Sequence, residues 1–160
     1  MEHFIFFVIA WVAVFIVLPL DRIKELRYVA LVSILWMLFV DNISAYLGYY
    51  SYEHILFPIG RASLFQLLGL AAIGFLMINL IDESSLSKLI AVLIVALALV
   101  ALQYTYSQLG AFSYGSFDLM LSFIHSVAAL SIFTWASLAI VGEEKIYHSN
   151  GKRIRKFHVN

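Results

Sequence analysis

Charged residues make up only 12% of this 160-residue chain, and they gather in short clusters that bracket five apolar stretches, each long enough to cross a bilayer. Crossing roughly 30 Å of hydrocarbon takes about 20 mostly apolar residues in a helix. The stretches run from about Phe4 to Leu20, Tyr28 to Leu47, Ala62 to Ile81, Leu89 to Tyr106 and Phe117 to Val141. Backbone in lipid must satisfy its own hydrogen bonds, and no alternating strand pattern of roughly ten residues occurs, so all five are expected to be helices. With 63% hydrophobic residues and a mean hydropathy of +0.95, the chain carries more apolar surface than a soluble core can hide. The expected fold is an all-α integral membrane protein: a five-helix transmembrane domain over residues 1–142 and a basic tail over residues 143–160.

Basic residues resist translocation and collect on the cytoplasmic side. Arg22, Lys24 and Arg27 in the first connector, Lys88 in the third, and Lys145, Lys152, Arg153, Arg155 and Lys156 in the tail fall on one side, and only Arg61 falls on the other. The expectation is an outside N-terminus and a cytoplasmic tail in a bacterial cytoplasmic membrane. Met1-Glu2-His3 is not the basic opening of a signal peptide and no A-x-A site follows, so the first helix is expected to stay. A basic tail can contact anionic headgroups, nucleic acid or an acidic partner; topology anchoring is the preferred reading, and no nucleic-acid partner is expected. The absence of cysteine excludes disulfides, thiolate catalysis and Cys-ligated metals.

Leu47-Gly48-Tyr49-Tyr50-Ser51-Tyr52 leaves the second span as Leu109-Gly110-Ala111-Phe112-Ser113-Tyr114 leaves the fourth. Asp41 and Gln103 precede the two copies by the same spacing, and a further span follows each. One reading is a duplication, with helix pairs 2-3 and 4-5 in parallel orientation. The other is that each Gly ends a helix while Tyr49, Tyr50, Tyr52, Phe112 and Tyr114 form an interfacial aromatic belt.

Polar groups at membrane depth are costly, and they face protein interiors or wet cavities. Asp41, with Asn42 and Ser44 beside it, Gln66, Gln103 and His125 all fall in the outer half of their spans. Asp118, Ser122 and His125 are spaced i, i+4, i+7, which puts them on one helix face. The candidate ligand-binding set is therefore Asp41, Asn42, Gln66, Gln103, Asp118, Ser122 and His125. In an enzyme, Asp41 and His125 would be acid and base. Read structurally, Asp118 sits at the interface, Ser122 and Ser126 make a small-residue contact, and His125 bonds a neighbouring helix. No metal motif or phosphate loop occurs, so no metal or cofactor is expected. Gly69, Ala71, Ala72 and Gly74 on the third helix, and Ala91, Ala96, Ala98 and Ala101 on the fourth, suit close helix packing. Trp11 and Trp36, away from the interfaces, either pack or line a hydrophobic cavity. Asn79 is expected to bond water or backbone.

From Pro19-Leu20-Asp21-Arg22 through the aromatic exit to Phe57-Pro58, the chain resembles a group of small five-span membrane proteins of spore-forming Gram-positive bacteria. That resemblance covers most of the chain and implies no activity. The stretch from Pro19 to Leu80 is also similar to the lycopene cyclase domain of carotenoid synthesis, in which a span with Asp leads through Gly and aromatic-Ser-Tyr to a Pro-x-Glu-Glu-like element. Where that family has a Pro-x-Glu-Glu-like element, this chain has Pro58-Ile59-Gly60-Arg61, so the acidic residues for cyclisation are lacking. The expected function is a non-enzymatic partner subunit or binder of a small hydrophobic molecule through the outer-leaflet polar cluster, with another membrane protein or further copies of this chain as candidate partners. The alternatives are a membrane enzyme acting on a prenyl or carotenoid-like lipid, and an oligomeric proton- or cation-coupled transporter.

Overall fold

A computed structural model describes residues 1–147, which are mostly helical. In chain order the elements are α1 (Glu2–Val17), α2 (Leu20–Glu25), α3 (Arg27–Tyr46), β1 (Tyr50–Tyr52), β2 (Pro58–Ile59), β3 (Ala62–Ser63), α4 (Leu64–Leu80), α5 (Ser85–Gln108), β4 (Phe112–Tyr114), α6 (Leu119–Val141) and α7 (Glu143–Tyr147). There are thus seven helices among the described residues rather than five. The two additional ones are short: the charged first connector coils into α2, and the start of the expected tail coils into α7. Lys152, Arg153, Arg155 and Lys156 lie outside the described residues.

Three helices, α3, α5 and α6, with 20, 24 and 23 residues, are long and apolar enough to cross a membrane. The chain is a helical membrane protein. The first and third expected spans are shorter than read, with 16 residues in α1 and 17 in α4. Pro19 is the reason for the first: Leu18 before it is extended, as the proline ring demands, and α1 ends. For the third, Ala62 and Ser63 are used in strand β3, and Ile81 turns extended at the other end.

The five longer helices nevertheless run between two common ends. At one end, His3 at the start of α1 meets Gln66 at the start of α4 and the ring of Tyr106 near the end of α5. At the other, Arg22 of α2 meets Asn79 at the end of α4 and the Ile146 carbonyl beyond α6. Helix α4 is central, packed on α1, α3 and α5, while α3 also packs on α6 and α6 on α5. Close approach is permitted by glycine: a Cβ on Gly69 would strike the Phe6 ring, and one on Gly74 would lie 3.0 Å from Phe133. Helix α5 buries only Ala91, Val92, Ala96 and Tyr106, and exposes Leu89, Ile90, Ile94 and Leu97. An apolar helix with so little buried surface is explained by lipid on its outer face.

Each aromatic connector contains a short strand, β1 in the first and β4 in the second. Gly48 and Gly110 end α3 and α5 with φ near left-handed values, +71° and +70°. The two matching segments that follow then pair with each other as an antiparallel ribbon, with Tyr50 opposite Tyr114, Ser51 opposite Ser113 and Tyr52 opposite Phe112. Flanking bonds extend it at corresponding places: Glu53 N–H donates to the Ala111 carbonyl at 2.9 Å, and Gly115 N–H to the Tyr49 carbonyl at 3.0 Å. Tyr50, Tyr52 and Phe112 are buried, so these three form an inner layer instead of the aromatic belt of the second reading, while Tyr49 and Tyr114 are half-buried.

Candidate functional site

In a strand, residues two apart share a face, so Tyr50 and Tyr52 both point inward from the ribbon. The last turns of α3 carry Asp41 beneath them. The Tyr50 hydroxyl donates to Asp41 Oδ1 at 2.8 Å, and the Tyr52 hydroxyl reaches the same oxygen at 3.5 Å. Burial, followed by the nearby Asp41 carboxylate, holds both phenols well above the ordinary tyrosine range, so they stay neutral donors. Phe112 packs on both rings, with centroids 5.3 and 5.4 Å away.

Below the ribbon lies a cavity of about 40 Å³, on which Asp41, Gln66, Gln103, Tyr106, His125 and Ser126 place polar groups. Four residues of the sequence-derived set therefore converge: Asp41, Gln66, Gln103 and His125. Two of the lining residues carry a buried oxygen without a hydrogen-bond partner, Asp41 Oδ2 and Gln103 Oε1. His125 Nε2 lies 3.2 Å from Ser44 Oγ and does not bond Asp41. Gln66 Oε1 lies 3.3 Å from His3 Nδ1, while His3 Nε2 lies 3.1 Å from the Glu53 carbonyl.

The other three residues of the set are elsewhere. Asn42 accepts from the Arg61 backbone N–H at 2.7 Å and donates to the Leu38 carbonyl at 2.8 Å, so it holds the β2–β3 turn. Asp118 is exposed and caps α6, accepting from Leu121 N–H at 2.8 Å. Ser122 is buried, but it does not line the cavity. The polar stripe expected on α6 is thus split among a cap, a packing serine and one cavity residue. Trp11 and Trp36 donate to the Leu68 and Ala129 carbonyls at 3.0 and 2.8 Å, which makes each a tie between helices. Asn79 Oδ1 accepts from Arg22 Nε at 3.0 Å, which ties the end of α4 to α2.

His3, Tyr50, Tyr52, Tyr106 and Ser126 were not among the expected site residues. The period-two aromatics after Gly48 are the available signal for the tyrosines. His3 carries none, since a polar residue before an apolar run reads as solvated.

A second concavity adjoins the first. Between α3 and α6 an apolar groove of about 210 Å³ is walled by Trp36, Phe39, Ile43, Ala128 and Ile132, and it ends at Ser44 and His125. Val40, His125 and Ala129 line both spaces.

Comparison with protein-family models, curated proteins and solved structures found no match to this chain.

Proposed function

We propose that this protein is a five-span, non-enzymatic protein of a bacterial cytoplasmic membrane that binds a single-chain amphiphile from the outer half of the bilayer. The observation carrying the reading is the junction at His125, where an apolar groove open to the helix exterior meets a polar cavity. A groove of about 210 Å³ is smaller than the roughly 300–1,000 Å³ of enclosed ligand sites, so it suits one apolar chain. The Ser44–His125 pair at its end offers a donor and an acceptor to a hydroxyl or carboxyl terminus. Acid–base chemistry has less support, because Asp41 and His125 engage Tyr50 and Ser44 separately.

Five spans are favoured by the two common ends, even though α1 and α4 are short. At about 1.5 Å per residue, their 16 and 17 residues cover roughly 24–26 Å, which local bilayer thinning accommodates. Arg22, Lys24, Arg27, Lys88 and Lys145 belong to the end opposite the ribbon, and Arg61 to the ribbon end, which favours an outward ribbon. Cysteines introduced at Glu53 and Glu83, both exposed and separated by α4, should then react with impermeant reagents from opposite sides of the membrane. Labelling from one side would remove α4 as a span.

The binding reading is tested by native mass spectrometry after extraction in mild detergent. The wild-type chain should retain an amphiphile, and Ala128→Trp, which fills an exposed position in the groove, should lower its occupancy at least tenfold. Equal retention by the variant, no retained small molecule, or a second polypeptide in its place would overturn the proposal.

A further inference from the structure

We propose that the cavity beneath the ribbon is a binding site for a monovalent metal cation of about the size of Na⁺, with Asp41 Oδ2 and Gln103 Oε1 as its protein ligands. Both oxygens are buried acceptors without a donor, and Asp41 is only 4% exposed. An acceptor buried in this way forfeits its hydration unless something positive or donating meets it. Tyr50 and Tyr52 serve the other carboxylate oxygen, Oδ1, and leave Oδ2 without a donor.

Position singles out the same two residues. Asp41 and Gln103 stand at equivalent places ahead of the two ribbon strands, and the ribbon pairs its matching segments about Ser51 and Ser113 with a register that reads the same from either strand. The helices that lead into it, α3 and α5, contribute one oxygen each. In membrane folds built from repeats, the interface between repeats is where coupling ions sit.

Charge and size narrow the ligand. The titratable groups on the cavity are Asp41, Tyr50, Tyr52, Tyr106 and His125, and no Lys or Arg among the described residues lines it. One carboxylate balances one positive charge, whereas a divalent ion would bring a second charge with no counterpart. Carboxylate and amide oxygens are hard donors suited to such cations. Among the described residues no three His, Asp or Glu side chains gather as a transition-metal site would require. About 40 Å³ holds a dehydrated ion with roughly two waters, and excludes an organic cation.

The test is the thermal midpoint of the chain purified in micelles, titrated with NaCl against choline chloride at constant ionic strength. Because an ion that binds only the folded state stabilises it, the wild-type midpoint should rise and saturate with Na⁺. Asp41→Asn should abolish the rise, and Gln103→Leu should displace its midpoint to at least tenfold higher Na⁺. If Asp41→Asn does not fold, Gln103→Glu decides: a second carboxylate should shift the response towards Ca²⁺. A wild-type midpoint indifferent to Na⁺, Li⁺ and K⁺, an unchanged response in Asp41→Asn, or one unchanged in Gln103→Glu would overturn the proposal. Ala128→Trp should keep the wild-type Na⁺ response, which separates this site from the amphiphile groove.

Discussion

Replacing Arg22 by leucine is expected to lower the unfolding free energy by about 3–5 kcal/mol, read from chemical unfolding in micelles followed by tryptophan fluorescence. The side chain is fully buried, and its guanidinium joins three separate parts of the fold. Nε donates to Asn79 Oδ1 at 3.0 Å, Nη1 to the Lys145 carbonyl at 2.6 Å, and Nη2 to the Ile146 carbonyl at 2.8 Å. Nη1 also pairs with Glu25 at 3.1 Å. The carbonyls belong to α7, which has too few residues to be stable alone, so Arg22 fixes the root of the tail against the ends of α2 and α4. Leucine fills much of the volume but removes every one of these bonds. Arg22→Lys should recover less than half of the loss, because a compact ammonium cannot reproduce a planar fork directed at four acceptors. A leucine variant within about 1 kcal/mol of wild type would show that the ends of α4 and α7 hold without this bond.

Helix number and location were legible in the sequence to the extent that hydropathy governs them. Apolar runs, with Pro19, Gly48 and Gly110 as their punctuation, located five helices to within a few residues, and α2 and α7 went unseen because charged six- and five-residue segments have no apolar signal. Which face of each helix turns inward was not legible, because a span that meets lipid is apolar on every side. Polar residues at depth were the exception: Asp41, Gln66, Gln103 and His125 do share one cavity. Asn42 and Asp118 looked equivalent to them in sequence but bind local backbone, and such bonds depend on a turn and a cap that hydropathy does not describe. Arg22 read as a topology anchor because nothing in its neighbourhood shows that α7 folds back over it. The similarity of the segments after Gly48 and Gly110 was visible, but their pairing with each other was not, since strand register across 62 residues leaves no local trace.

Substituting alanine for Gly115 is expected to cost about 3 kcal/mol and to loosen the site above Asp41. The reason is steric and lies in the backbone. A Cβ at this position would run into the Gly48 carbonyl oxygen and would lie 3.1 Å from the Tyr49 oxygen, so no side-chain rotation can relieve it. The strand must back away, and two bonds lie in its path: Gly115 N–H to the Tyr49 carbonyl at 3.0 Å and Ser116 N–H to the Gly48 carbonyl at 2.9 Å. Tyr49, stacked on Phe117 with centroids 4.3 Å apart, and then Tyr50 would move with them. Gly48 supplies the control. It has open space around its Cβ direction but a φ of +71°, so Gly48→Ala should cost only the conformational penalty of about 1–2 kcal/mol. The comparison is made by thermal unfolding of both variants, together with the near-ultraviolet circular dichroism of the buried tyrosines, which Gly115→Ala should diminish and Gly48→Ala should leave close to wild type. Equal losses would mean that the ribbon can slide to admit a methyl group, and a ribbon that slides cannot hold Tyr50 at 2.8 Å from Asp41 by its register alone.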